Sequence, residues 1–117
     1  MAFDLIGLNP KDPLGLCYRL NIWKWHELWK FLQFYCGDII FDINYWYTND
    51  GEEVSKEICK QLLFKLKNQE MINYFNQYLS NRKKMEYMNF ETYRPLSDQD
   101  IRAFCLFLER CGGFSIS

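Results

Sequence analysis

The chain is short of most things that announce a chemistry. It has one histidine, His26, and its 14 basic residues are offset by 15 acidic ones. A near-neutral chain has no global positive field to gather phosphate, which removes the simplest argument for nucleic-acid binding. No stretch approaches the roughly 18–20 uninterrupted apolar residues of a membrane-spanning helix. The amino terminus lacks the basic start and long apolar core of a signal peptide. No pair of its five cysteines has C-x-x-C spacing, so neither a zinc knuckle nor a redox motif of that spacing is present. Glycine-rich phosphate loops, a G-x-S-x-G elbow and an H-E-x-x-H helix are also missing. These absences leave catalysis without positive support. The expectation is a cytoplasmic, membrane-free protein of 117 residues in a single domain (1–117), not an enzyme, with no cofactor and no bound metal.

Aromatic residues are plentiful, at 19% of the chain. Three of the four tryptophans fall in Trp23-Lys24-Trp25-His26-Glu27-Leu28-Trp29-Lys30-Phe31-Leu32-Gln33-Phe34-Tyr35. Aromatic side chains bury more area than any others and dominate core and interface energetics. Trp25, Leu28, Trp29, Leu32 and Cys36 recur at helical spacing, which predicts a helix from Asn21 as its cap to near Cys36, with Gly37 as a left-handed C-terminal cap. Trp23, Phe31 and Phe34 lie off that stripe and must meet other elements or stay partly exposed.

Residues 2–7 alternate and read as a short strand, and Asn9 to Gly15, with two prolines, as a loop. Residues 38–50 read as an irregular aromatic loop closing on Asn49-Asp50-Gly51, a turn signal. A second helix is predicted over Glu52–Lys67, with Glu52 and Glu53 in its first turn and Lys65 and Lys67 in its last. A third covers 69–86 after a break near Asn68. The last opens on Ser97-Asp98-Gln99-Asp100, a serine cap with acids behind it, and stops at Gly112-Gly113. Phe114 to Ser117 can pair with residues 2–7. The expected fold is α+β and predominantly α: about four helices and a minimal two-stranded sheet joining the two ends.

Candidate sites are few. Asp42, Asn44 and Glu53 occupy positions 1, 3 and 12 of an EF-hand-length window, but Trp46 and Tyr47 stand at positions 5 and 6, which defeats calcium binding of that type. His26 and Glu27 are adjacent on the helix and project about 100° apart, so they do not form a ready pair. Cys17, before the helix, is a candidate to approach His26; the plain reading of His26 is a surface or half-buried histidine. Arg82-Lys83-Lys84 is the single basic run, at a predicted helix end where cations suit the dipole. Cys59 and Cys105 fall on apolar helix faces, as small hydrophobes. Trp46 and Tyr47, among the polar residues Asn44, Thr48, Asn49 and Asp50, are candidates for binding.

Phe3 to Lys11, Tyr18 to Trp29, Asn49-Asp50-Gly51, and Tyr93 to Ser97 through Gly112 to Ile116 together resemble a family of small proteins, without an established activity, common in phages and bacterial genomes. Members of that family often carry a cysteine-rich, zinc-knuckle-like insertion before the last helix. This chain has only Met85 to Thr92 there and no C-x-x-C, so zinc does not carry over. The resemblance implies one compact domain in a mobile-element setting. It also marks Arg19, Asn21, Trp25, Asn49, Asp50 and Gly51 either as a site or as a polar network pinning the loops to the first helix.

The expectation that follows is a non-catalytic protein-binding module, an inhibitor of a host system of anti-CRISPR or other anti-defence type. It would contact a host protein or ribonucleoprotein complex through an aromatic-rich surface. Its binding residues would be Arg19, Trp23, Trp46, Tyr47, Asn49 and Asp50. One alternative is a single-stranded nucleic-acid-binding protein using the same rings. The other is a small enzyme or metal protein built on the polar Arg19, Asn49 and Asp50.

Overall fold

The computed structural model describes residues 2–44, 46–48, 50–83 and 96–117, and of residues 2 and 81–83 the backbone alone. Alternation sets the first strand, β1 (Ala2–Gly7): Phe3 and Leu5 turn inward while Asp4 and Ile6 turn out. A short 3-10 turn at Pro13–Gly15 follows, its Asp12 cap accepting from the Leu14 amide at 2.9 Å. The chain then runs back as β2 (Cys17–Asn21), antiparallel to β1 with Phe3 opposite Leu20 and Asp4 opposite Arg19.

Helix α1 (Ile22–Ile40) begins where Asn21 caps it, the Asn21 Oδ1 accepting from the Lys24 amide at 2.8 Å. It does not end at Gly37, as the glycine signal suggested. The helix kinks at Cys36 (φ −125°, ψ 26°) and continues, because Ile40 and then Ile43 bury behind it. Gly37 has no positive φ and caps nothing.

Strand β3 (Glu52–Val54) occupies what read as the first turn of a helix. Glu52 and Glu53 therefore belong to a sheet, and Val54 packs fully inside it. Helix α2 (Lys56–Leu66) starts at Ser55, whose hydroxyl accepts from the Ile58 amide at 3.2 Å. Helix α3 spans Met71–Lys83 and helix α4 Asp98–Cys111. In α4 Ser97 and Asp100 form a reciprocal capping box, and Gly112 (φ 65°) supplies the left-handed terminus. Strand β4 (Phe114–Ile116) ends the chain's regular structure.

Among the described residues the fold is α+β and helix-dominated, with the four helices and the pairing of the terminal strands that the sequence predicted. The sheet is larger than expected. It has four antiparallel strands in the order β2-β1-β4-β3. The unexpected strands, β2 and β3, are its two edges. One face of the sheet carries Phe3, Leu5, Leu20, Val54, Phe114 and Ile116 into the core. The other carries Asp4, Ile6, Cys17, Arg19, Glu53 and Ser115 and is largely open.

Helix α1 is the centre of the molecule. Trp25, Leu28, Trp29, Phe31, Leu32 and Cys36 are all fully buried, covering far more than one helical stripe. Phe31 meets Phe75 and Tyr78 of α3. Tyr35 and Lys65 clasp α1 to α2: the Tyr35 hydroxyl donates to the Lys65 carbonyl at 3.1 Å, and Lys65 Nζ donates to the Tyr35 carbonyl at 2.8 Å. The start of α4 is tied to the same helix by Lys24, whose ammonium lies 3.1 Å from the Asp100 carboxylate.

At the far end of β1 the packing is backbone on backbone. A Cβ added at Gly7 would stand 2.0 Å from the Gly15 carbonyl oxygen, and one at Gly15 would stand 2.0 Å from that of Arg110. Hydrogen bonds from Leu8, Asn9 and Lys11 to the carbonyls of Gly113, Cys111 and Arg110 complete the junction. Only glycine permits so close an approach.

Candidate functional site: an aromatic ridge on the first helix

The loop leaving α1 doubles back along it and lays Trp46 over the helix's first turns. Trp46 stacks on Trp29 with ring centroids 5.8 Å apart and planes 15° off parallel, and meets His26 edge-on at 5.4 Å. Its carbonyl accepts from Trp25 Nε1–H at 2.7 Å, which fixes the loop's height on the helix. Tyr47 then stands perpendicular to Trp46 at 5.7 Å and is 52% exposed. Trp23 lies three residues before His26, one helical turn away on the same side. It is 61% exposed.

These rings make a graded ridge. Trp25 and Trp29 are wholly inside, His26 and Trp46 are half-buried, and Trp23 and Tyr47 project. Phe3 supports the base, 6.1 Å from Trp25 and 5.9 Å from His26. Burial, and then the Lys30 ammonium, lower the proton affinity of His26 below the ordinary histidine range. It is therefore a neutral ring at pH 7 and adds no charge to the ridge. Its Nε2 and the Trp29 Nε1 are buried without a hydrogen-bond partner among the described residues, a local cost of about 1–3 kcal/mol each.

The remaining candidates fall elsewhere. Arg19 lies on the open face of the sheet, 3.4 Å from Asp4 and largely exposed. Asp50 is exposed just before β3, where with Thr48, Glu52 and Glu53 it borders an open notch of 610 Å³. β2 and β3 are the opposite edges of a four-stranded sheet, three strand spacings or about 14 Å apart. The fold does not bring Arg19 to Asp50. Asn49 and Lys84 lie outside the described residues, as do the side chains of Arg82 and Lys83.

Cys17 sits opposite Ile6, whereas His26 packs on Phe3 at the other end of β1, so the two are not brought together as a nucleophile and base. Of the positions marked by the family resemblance, Asn21 and Trp25 serve as cap and loop anchor, and Gly51 (φ 93°) donates its amide to the Ile116 carbonyl at 2.8 Å.

Sequence reasoning missed Glu27, which is 3% exposed in the core and accepts from the Leu96 amide through Oε2 at 3.3 Å. Its placement follows from the buried face of α1 being wider than a single stripe, a signal present in the density of aromatics but not in the helical spacing. Among the described residues, no helix is long and apolar enough to cross a membrane. Comparison with protein-family models, with curated proteins and with solved structures found no match.

Proposed function

We propose that the chain is a non-catalytic protein-binding module whose contact surface is the ridge formed by Trp23, Trp46 and Tyr47. The observation that carries this reading is Trp23: an indole 61% exposed on a rigid helix, in line with rings that are anchored from beneath. Tryptophan and tyrosine are the residues most enriched at binding hot spots. Rings held by buried neighbours lose little freedom on association, so more of their contact energy survives as affinity. The partner class we favour is a host protein or ribonucleoprotein complex, with the chain acting as an inhibitor of a host system. That finer reading draws on the resemblance to phage and bacterial proteins.

Stacking of single-stranded nucleic acid on the same rings is the weaker reading. The surface beside Tyr47 is acidic, with Asp50, Glu52 and Glu53 around the notch, and like charges there repel a phosphate backbone. Lys24, the cation nearest in sequence to Trp23, is already engaged by Asp100.

The test compares the wild-type chain with the Trp23→Ala, Tyr47→Ala double variant, both immobilised and exposed to a bacterial lysate. A stoichiometric partner held by the wild type and weakened at least roughly thirtyfold in the variant supports the reading. No partner, or equal retention by both, overturns it. Salt-sensitive anisotropy of a labelled single-stranded oligonucleotide transfers the ridge to the second reading.

A further inference from the structure

Four of the five cysteines are buried, and two of these meet across the helix layer. Cys59, in the first turns of α2, and Cys111, the last residue of α4, place their sulfurs 3.9 Å apart. They are 52 residues apart in sequence, so no spacing motif announces them. A cleft of 60 Å³ reaches Cys59 and is lined also by Lys11, Lys56, Lys60, Glu109, Gly112 and Gly113. That is room for one or two water-sized molecules. We propose that Cys59 and Cys111 are an oxidisable dithiol, which a small peroxide entering this cleft converts to an intramolecular disulfide between α2 and α4.

The chemistry balances with the peroxide as the oxidant. In the first step the Cys59 sulfur, bordering the cleft, attacks one peroxide oxygen; the O–O bond breaks, Cys59 becomes a sulfenic acid and one water leaves. In the second the Cys111 sulfur attacks the Cys59 sulfur; the S–O bond breaks, the S–S bond forms and a second water leaves. Two electrons pass from the sulfurs to the peroxide oxygens. The sulfurs must close from 3.9 Å to the disulfide length of about 2.05 Å.

The electrostatics favour the second step. The contact between the two sulfurs lowers the Cys111 thiol, helped against burial by the backbone at the end of α4, and together with burial raises that of Cys59. The attack on the peroxide is therefore the slow step and the attack of Cys111 on the oxidised Cys59 the fast one. Burial also pushes Cys36 up to about 12 and Cys105 up to about 11.

The experiment treats the folded full-length chain with hydrogen peroxide, blocks remaining thiols with an alkylating agent after denaturation, and reads intact mass and a peptide map. The expected product has lost two hydrogens, keeps three alkylatable thiols of the original five, and yields a linked peptide pair containing Cys59 and Cys111. Its Tm rises by roughly 10 °C and falls back on reduction, because the cross-link restrains the unfolded chain. Cys105→Ala should still form the link, whereas Cys59→Ala should not. Should Cys59→Ala fail to fold, the wild-type peptide map decides alone. A link through Cys17, Cys36 or Cys105, oxygen addition at Cys59 without a link, or five thiols still alkylatable would each overturn the proposal.

Discussion

At its amino-terminal end β1 meets Trp25 and His26 through Phe3, whereas at its carboxy-terminal end Gly7 meets the backbone of residue 15 and the region around Cys111. The first contact is made by rings and the second by bare main chain. Rings fill space from many angles and leave their outer edges over, which is how Trp23 and Tyr47 come to project beyond a packed base. Main chain pressed against main chain leaves nothing over. The proposed contact surface therefore lies at the aromatic end, and the glycine end contributes only shape. The same division explains why the thiol pair lies beside Gly112 and Gly113, where two elements come close enough for small side chains to touch.

The largest effect should come from removing the base of the ring stack. Trp29→Ala deletes a fully buried indole between Trp25 and Trp46, and a loss of about 4 kcal/mol is expected in urea unfolding. At the opposite end, Gly15→Ala drives a methyl into the Arg110 carbonyl and should cost about 3 kcal/mol, with no cavity to relax into. If Gly15→Ala proves neutral, the description of that end as close main-chain packing is wrong.

The Lys24–Asp100–Ser97 cluster, between the two ends, should show an intermediate effect. Burial alone would raise the Asp100 carboxyl, but the Ser97 amide and the Lys24 ammonium outweigh it and the net direction is down. Its contribution to stability is thus present above the unfolded carboxylate value of about 4 and is lost as pH falls through the lowered folded value. Ser97→Ala should cost about 1 kcal/mol at neutral pH. Asp100→Asn should flatten the wild type's loss of stability in acid, as read by Tm against pH.

Trp23→Ala should do least to folding, within about 0.5 kcal/mol, because its ring is mostly in water. Under the proposed function its effect falls on partner binding. A large loss of stability in Trp23→Ala would make the ridge structural and erase the contrast between the two ends.

What could be read from the chain was what local chemistry decides. Ser97 with Asp100, and Gly112 after Cys111, mark α4 by capping alone, and the four-residue spacing of Ile58, Leu62 and Leu66 marks α2. What could not be read depends on distant partners. Glu52 and Glu53 suit a helix start as well as a strand, and only their pairing with Ile116 and Ser115 makes them β3. Cys17 to Asn21 becomes β2 because β1 lies beside it. Gly37 looked like a stop, but burial of Ile40 and Ile43 outweighs a cap signal. Trp46 and Tyr47 were legible as unplaced rings, while the seat of Trp46 on His26 and Trp29 was not, since a loop's return path leaves no periodicity behind.

The graded depth of the four indoles gives the molecule its own optical gauge. Trp25 and Trp29 are sealed from solvent, Trp46 is half covered and Trp23 faces water. Iodide quenching should reach Trp23 long before the others, so the red edge of the emission reports whatever covers the outer ring. The blue edge follows the integrity of the interior, and a single unlabelled sample can tell docking from denaturation.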